Sequence, residues 1–121
     1  MTTPSGHTSA IRGKKVLGTT VKNTAGETLG SVEDIVLDKR SNNIMFAVLS
    51  FGGFLGIGEK YHPIPWSSLN YDQGQDAYVV SFSKDQLESA PADTIEELTK
   101  NDGRLYRERS YDYYHVERDW R

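Results

Sequence analysis

The chain has 121 residues, no cysteine and a formal net charge of −3, and this length suggests one domain. The absence of cysteine excludes disulfides, thiolate metal sites and cysteine nucleophiles, and it is compatible with a reducing compartment. The longest apolar run extends only from Ile44 to Leu49, whereas a membrane-spanning helix needs about 20 residues. The N-terminus contains no apolar core of a signal peptide, so we expect a cytoplasmic protein without membrane insertion.

The N-terminal part of the chain predicts an arm followed by strands. Residues 1–13 are mostly small and polar, which indicates a disordered arm. A mixed strand is expected over 14–23, and a turn at Gly26 separates it from a second strand over 28–38. In that second strand Glu33 and Asp34 are adjacent, so they face opposite sides and cannot act as a carboxylate pair. One of the two is expected to face inward or to lie at the rim.

The middle of the chain predicts further short strands. Residues 44–51 follow a segment dense in turn formers and are apolar on both faces, which indicates a strand covered on both sides. Pro63 and Pro65 cannot donate to a ladder, so their segment is expected at a sheet edge or a strand end. An alternating strand over 76–82 follows another turn. Five or six short strands in this arrangement are typical of a small barrel or sandwich.

The pattern changes to helices after residue 82. Ser83 and Gln86 form a capping box that predicts a short helix. Asp93 and Glu96 predict a second capping box at the start of a second helix. Gly103 is expected to be the C-terminal cap of that helix.

A glycine-rich segment between residues 52 and 58 raises the question of a phosphate-binding loop. Gly53 and Gly58 have the spacing of a P-loop, but Glu59 stands where a lysine is needed and no hydroxyl follows. The nearby prolines also disfavour the helix whose N-terminus would bind the phosphate. We therefore predict a bend between two strands. Its apolar residues either fold back onto the barrel or project as a contact tip: Phe54, Leu55 and Ile57.

The stretch from residue 16 to residue 69 closely resembles the PRC-barrel family. The resemblance rests on these features: Leu17-Gly18, the Gly-Glu-x-Leu-Gly turn at 26–30, Val32-Glu33-Asp34, Asp38, the glycine loop leading into Pro65-Trp66, and Leu87 to Pro91. It implies a mainly β fold, a small barrel of about six strands over residues 14–91. A short helical and aromatic extension over 92–121 follows, and the arm over 1–13 precedes.

Two relatives in this family indicate what kind of function to expect. They are the cytoplasmic domain of the H subunit of the photosynthetic reaction centre and the C-terminal domain of a ribosome maturation factor. Both imply a docking module rather than an enzyme. This chain shows neither the membrane helix of the first nor the extra N-terminal domain of the second, so we expect a stand-alone member to which neither specific task carries over.

The side chains that could carry chemistry form no recognisable constellation. The histidines His7, His62 and His115 lack metal-ligand spacing, and no serine has a G-x-S-x-G setting. His62, between Tyr61 and Pro63, is expected to face solvent. A six-stranded barrel is filled by its own side chains, which leaves no interior ligand pocket. We expect no catalytic residue, no metal and no cofactor.

The C-terminal tail alternates aromatic residues with Arg and Asp. Such a composition suits both protein interfaces and base stacking, although the balanced charge of residues 101–121 weakens the nucleic-acid interpretation. We expect the tail to pack on its own barrel or on a second copy. The aromatic residues are Tyr106, Tyr111, Tyr113, Tyr114 and Trp120.

These observations predict a non-enzymatic protein–protein interaction or adaptor module with an unidentified protein partner. We also expect a homo-oligomer, with a dimer favoured. The alternative is an RNA- or ribosome-associated factor. The residues predicted to mediate interaction are Phe54, Leu55, Ile57, Tyr61, Trp66, Tyr111, Tyr113, Tyr114 and Trp120.

Overall fold

The computed structural model describes residues 10–51, 60–118 and 120. These residues contain α-helices, β-strands and two 3-10 segments, Trp66–Ser68 and Lys100–Gly103. In chain order the helices and strands are α1 (Gly13–Val16), β1 (Thr20–Asn23), β2 (Thr28–Leu37), β3 (Ile44–Phe51), β4 (His62–Ile64), β5 (Asn70–Asp72), β6 (Ala77–Val80), α2 (Lys84–Glu88), α3 (Ile95–Thr99) and α4 (Arg104–Tyr113).

The six strands form one mixed sheet in the order β4-β3-β2-β1-β6-β5. Neighbouring strands are antiparallel, except that β1 and β6 are parallel. Strands β4 and β5 are the two edges, and within the described residues they do not pair with each other, so the sheet is not closed. The prediction of about six strands with a helical C-terminal part is confirmed, as is the edge position of the proline-containing segment.

Two apolar clusters flank the sheet, and β3 contributes to both. Phe46 and Val48 pack in one cluster with Leu98 of α3 and Tyr106 of α4. Leu49 packs in the other cluster with Leu87 of α2. Because consecutive residues of β3 are buried, this strand is covered on both sides, as its sequence predicts.

The N-terminal strand is shorter than its sequence indicates. Residues Gly13–Val16 form a helical turn, in which the N–H groups of Lys15 and Val16 donate to the Arg12 carbonyl at 2.8 and 3.2 Å. Gly18, with φ of 87°, then redirects the chain, and β1 begins at Thr20. The expectation of a strand over the first part of 14–23 is therefore wrong.

The helix starts confirm one predicted cap and correct another. The Ser83 hydroxyl accepts from the N–H of Gln86 at 3.1 Å, and the Gln86 side chain accepts from the N–H of Ser83 at 3.0 Å, which completes the predicted capping box. The second helix is capped by Thr94 rather than by Asp93. Gly103, with φ of 71°, precedes α4 instead of closing α3.

A β-bulge in β2 changes the directions in which the carboxylates of Glu33 and Asp34 point. The register between β2 and β3 shifts between Val32 and Asp34, so Glu33 is an extra residue on its strand. Both Glu33 and Asp34 are exposed. The bulge breaks the alternation of side chains, and neither carboxylate faces inward.

Gly30 lies where β2 and β3 approach each other closely, because a Cβ atom there would lie 1.9 Å from the Ser50 carbonyl oxygen. That oxygen belongs to the backbone and cannot move aside as a side-chain tip can. Gly30→Ala is expected to lower the free energy of unfolding by about 1–3 kcal/mol, the usual effect of overpacking.

The matched control for this prediction is Gly13→Ala, because a Cβ atom there meets nothing within 4 Å. Alanine also has a higher helix propensity than glycine in α1. Equilibrium urea unfolding of both variants measures the difference, and equal stability of the two would contradict the proposed close approach.

Candidate binding groove between the hairpin and the C-terminal segment

A groove of about 930 Å³ lies between the β2–β3 hairpin and the C-terminal segment. The hairpin wall is formed by the end of β2 and the turn after it, and the opposite wall by α4 and the residues that follow it. The polar and aromatic lining comprises Asp38, Lys39, Arg40, Thr99, Asp102, Arg104, Arg107, Glu108, Arg118 and Trp120.

The hairpin wall is held in shape by Asp38. Its N–H donates to the Asn43 carbonyl and its carbonyl accepts from the Asn42 N–H, both at 2.8 Å. Its carboxylate accepts from the N–H groups of Arg40 at 2.8 Å and Ser41 at 3.4 Å. These backbone hydrogen bonds, with that from Arg40 foremost, lower the pKa of Asp38. The carboxylate is therefore charged at neutral pH and fixes the turn.

The opposite wall is positioned by the buried face of α4. Tyr106 donates its hydroxyl hydrogen to the carboxylate of Asp93. Asp93 in turn forms a two-bond backbone bridge with Tyr61, next to β4. The helix is thus tied to the edge of the sheet. Its buried residues are Tyr106, Arg107, Ser110 and Tyr111.

Arg107 connects the two walls. Its side chain is only 7% exposed, and Nη1 lies 3.8 Å from Oδ2 of Asp38. Its guanidinium carbon lies 4.0 Å from the centre of the Trp120 ring, and that ring meets Tyr111 edge-to-face with centroids 4.6 Å apart. Cation–π attraction is stronger when the cation is desolvated. One buried guanidinium therefore holds the hairpin, the helix and the end of the tail together.

The groove is locally positive on a chain that is negative overall. Five cationic and three anionic side chains line it, a balance of +2, whereas the whole chain has a formal charge of −3. Lys39 and Arg40 are exposed on the hairpin turn. Among the described residues, neither has a carboxylate within ion-pair distance.

The remaining arginines of the groove have carboxylate neighbours at its surface. Arg118 lies 3.5 Å from Glu108 and 3.3 Å from Asp112. Arg104 lies 4.0 Å from Asp102, with both side chains largely exposed. Exposed ion pairs of this kind contribute only about 0–1 kcal/mol, so they add little to the stability of the groove.

The aromatic residues of the tail pack on the chain's own sheet. Tyr111 is 2% exposed, and the Tyr113 hydroxyl donates to the carbonyl of Gln86. Tyr114 stacks on the ring of Phe82 with centroids 4.2 Å apart. Within the described residues the tail therefore packs on its own chain, and packing of the tail on a second copy stays a prediction.

The other residues predicted to mediate interaction lie in different places. Tyr61 is buried beside α3 and α4, and Trp66 is half-buried against Tyr78. Among the predicted residues within the described part of the chain, only Trp120 lines the groove. Three more lie outside the described residues: Phe54, Leu55 and Ile57.

The cationic residues of the groove were missed by the sequence interpretation. Lys39 and Arg40 lie in a segment that was assigned only as a turn, and the arginines of α4 appeared as spacers between aromatic residues. The spacing of Arg104 and Arg107 does place them near each other on a helix. No pattern in the sequence, however, places the hairpin turn opposite α4.

His62 does not face solvent, and the expectation that it would is wrong. It is 7% exposed, and its ring meets Phe51 edge-on at 5.5 Å. Within the described part of the chain, its Nδ1 has no hydrogen-bond partner. Burial disfavours the charged imidazolium and lowers the pKa of His62 below 6.5, against a smaller opposing effect of a hydrogen bond to the Pro91 carbonyl.

Comparison with known proteins gives the class of this chain. A family model described as PRC-barrel domain matches residues 9–87, which is more than half of the sequence. The chain therefore belongs to the PRC-barrel family. A search of curated proteins found no match. The matched region contains the whole sheet and the hairpin wall, whereas α4 lies beyond it.

The described residues form neither a metal-binding cluster of His, Asp and Glu nor a membrane-spanning helix. No group of three or more His, Asp or Glu side chains in this part of the chain is placed to hold a metal ion. In the same residues, every helix is too short or too polar to cross a membrane.

Folding keeps His62 neutral, so the unfolded chain takes up a proton more readily once the pH falls below 6.5. The free energy of unfolding is therefore unaffected well above this pH. It is expected to fall as the pH drops from 6.5 towards the lowered pKa, by up to about 1.4 kcal/mol per pH unit.

Urea unfolding at about pH 7 and about pH 5.5 measures this loss. The variant His62→Phe keeps an aromatic ring but cannot be protonated, and it is expected to lose less stability over this interval. The carboxylates with lowered pKa, Asp38, Asp72 and Asp93, titrate at lower pH and do not interfere. The same pH dependence in both proteins would contradict the assignment.

Proposed function

We propose that this chain is a non-enzymatic adaptor, a protein-interaction module that holds a segment of a partner in the groove. The observation that carries the proposal is the lining of the groove, where exposed Leu37 lies beside several arginines. Arg is enriched among the residues that dominate protein interfaces.

Two polar side chains of the groove have structural hydrogen bonds. The carboxylate of Asp38 accepts from the N–H groups of Arg40 and Ser41 in its own turn. The hydroxyl of Thr99, on the same lining, donates to the Ile95 carbonyl at 2.9 Å. The buried His62 does not line the groove.

The experiment that tests this function is affinity capture from the native cell, in which the chain used as bait carries a charge-reversing substitution. Arg40→Glu reverses an exposed charge without removing the backbone N–H that Asp38 binds. Lys84→Glu, on exposed α2 and outside the groove, is the matched control. We expect a protein partner that survives ribonuclease, is retained by Lys84→Glu and is lost with Arg40→Glu. Retention by Arg40→Glu, or no protein partner, would contradict the proposal.

A second candidate function is an RNA- or ribosome-associated factor. The observation in its favour is the local positive balance of the groove, since arginines also contact phosphates. Base stacking at Trp120 has less support, because the Arg107 guanidinium covers its ring. Captured material that is released by ribonuclease would favour this candidate over the adaptor.

The proposal includes self-association, with a dimer favoured, through the apolar residues between positions 54 and 57. These residues lie outside the described part of the chain, and the support is their apolar character within a glycine-rich segment. Leu55→Asp is expected to halve the mass measured by light scattering. Leu105→Asp, on the exposed face of α4, is the control and should not change it. A monomeric wild-type chain, or an unchanged mass for Leu55→Asp, would contradict this role.

A further inference from the structure

We propose that the groove binds an acidic segment of a protein partner, in which an apolar side chain stands beside the carboxylates. This inference rests on the adaptor function proposed above and specifies the chemistry of its partner. Four observations support it. The groove is locally positive, its cations are exposed to a ligand, part of its lining is apolar, and the ring of Trp120 is covered by Arg107.

The charge of the groove selects an anionic ligand. Its local balance of +2 stands on a chain with a formal charge of −3, so the groove attracts an anion although the chain as a whole is negative. Arginine presents a planar fork of N–H donors that matches a carboxylate with two parallel hydrogen bonds. Several such forks in one groove recognise a segment with more than one carboxylate.

The cations at the mouth of the groove are available to a ligand. Lys39 and Arg40 are exposed, and among the described residues they have no carboxylate within ion-pair distance. Arg104 lies 4.0 Å from Asp102, and both side chains are more than 70% exposed. Arg107, in contrast, is held against Asp38 and Trp120. It shapes the groove, while the three exposed cations contact the ligand.

The apolar part of the lining distinguishes a peptide from a simple anion. Leu37 is 55% exposed at the groove, and Val36 and Met45 also line it. A phosphate group would leave this apolar surface in water, whereas a leucine or similar side chain of a peptide would cover it. The volume of about 930 Å³ is within the range of sites that hold small ligands, so the bound segment is short.

The setting of Trp120 argues against a nucleic acid as the occupant. Proteins that bind single-stranded nucleic acids stack bases on open aromatic faces. Here the ring of Trp120 is half-buried, with the guanidinium of Arg107 4.0 Å from its centre and Tyr111 against it edge-to-face. The ring therefore supports the groove from within.

The test is isothermal titration of the full chain with capped peptides of about eight residues, a length chosen to match the groove. One peptide contains Glu and Leu, a second has Lys in place of Glu, and a third has Gln. Inorganic phosphate and a single-stranded RNA oligonucleotide are titrated in parallel. We expect the Glu/Leu peptide to bind, and its affinity to decrease between about 50 and about 300 mM salt because surface charges are screened.

Two pairs of variants assign the binding to the groove. Arg40→Glu is expected to weaken binding at least about tenfold, the loss of a charge-assisted contact, whereas Lys84→Glu should leave it unchanged. Leu37→Ser is expected to weaken it severalfold, whereas Leu105→Ser, also an exposed leucine but outside the groove, should not. Circular dichroism verifies that each variant is folded, and the salt dependence of the wild type provides a test that needs no variant.

Several results would overturn the inference. These are no binding of the Glu/Leu peptide, equal binding of the Lys/Leu or Gln/Leu peptide, binding of phosphate as tight as that of the peptide, and tighter binding of the RNA. A partner captured from the cell that depends on Arg40, combined with no binding of the Glu/Leu peptide, would refute the acidic segment and leave the adaptor function standing. Peptide binding without any protein partner in the cell would contradict the adaptor function instead.

Discussion

The burial of one face of α4 against the sheet is the constraint on which the rest of this structure depends. α4 spans only Arg104–Tyr113, and isolated helices of that length are marginal in water. It is helical because Tyr106 and Tyr111 are buried in the packed molecule. The same packing covers the apolar residues of β3 on one side of the sheet. The helix and the sheet therefore bury each other's apolar surface.

The groove is a direct consequence of this packing. Once α4 is docked, Arg107 is held between Asp38 of the hairpin and the ring of Trp120. The hairpin wall lies inside residues 9–87, the region that matches the PRC-barrel family, and the other wall lies beyond it. The family domain thus provides a scaffold, and the C-terminal segment converts one of its surfaces into a groove with its own charge.

The sequence predicted local features of the fold better than the site. The strands β2 and β3, the proline-containing edge and the Ser83 capping box depend on neighbouring residues, and each was confirmed. The first strand was predicted too long, and β5 was not predicted as a strand. The bulge at Glu33 depends on pairing between strands, which no local pattern reveals. His62 packs against Phe51 of the neighbouring strand, a contact that exists only in the folded sheet. The groove joins residues near 38 with residues beyond 104, and only the tertiary packing brings these together.

Hydrogen exchange of the folded full-length chain, followed by mass spectrometry, tests the docking of α4 most directly. A short helix that is not packed on the sheet exchanges its amides nearly as fast as an unfolded chain, because its isolated form is marginal. We expect the amides of Arg104–Tyr113 to be protected to nearly the same free energy as those of β2 and β3. Exchange of α4 at the rate of an unstructured peptide, while the sheet stays protected, would contradict the docking of α4.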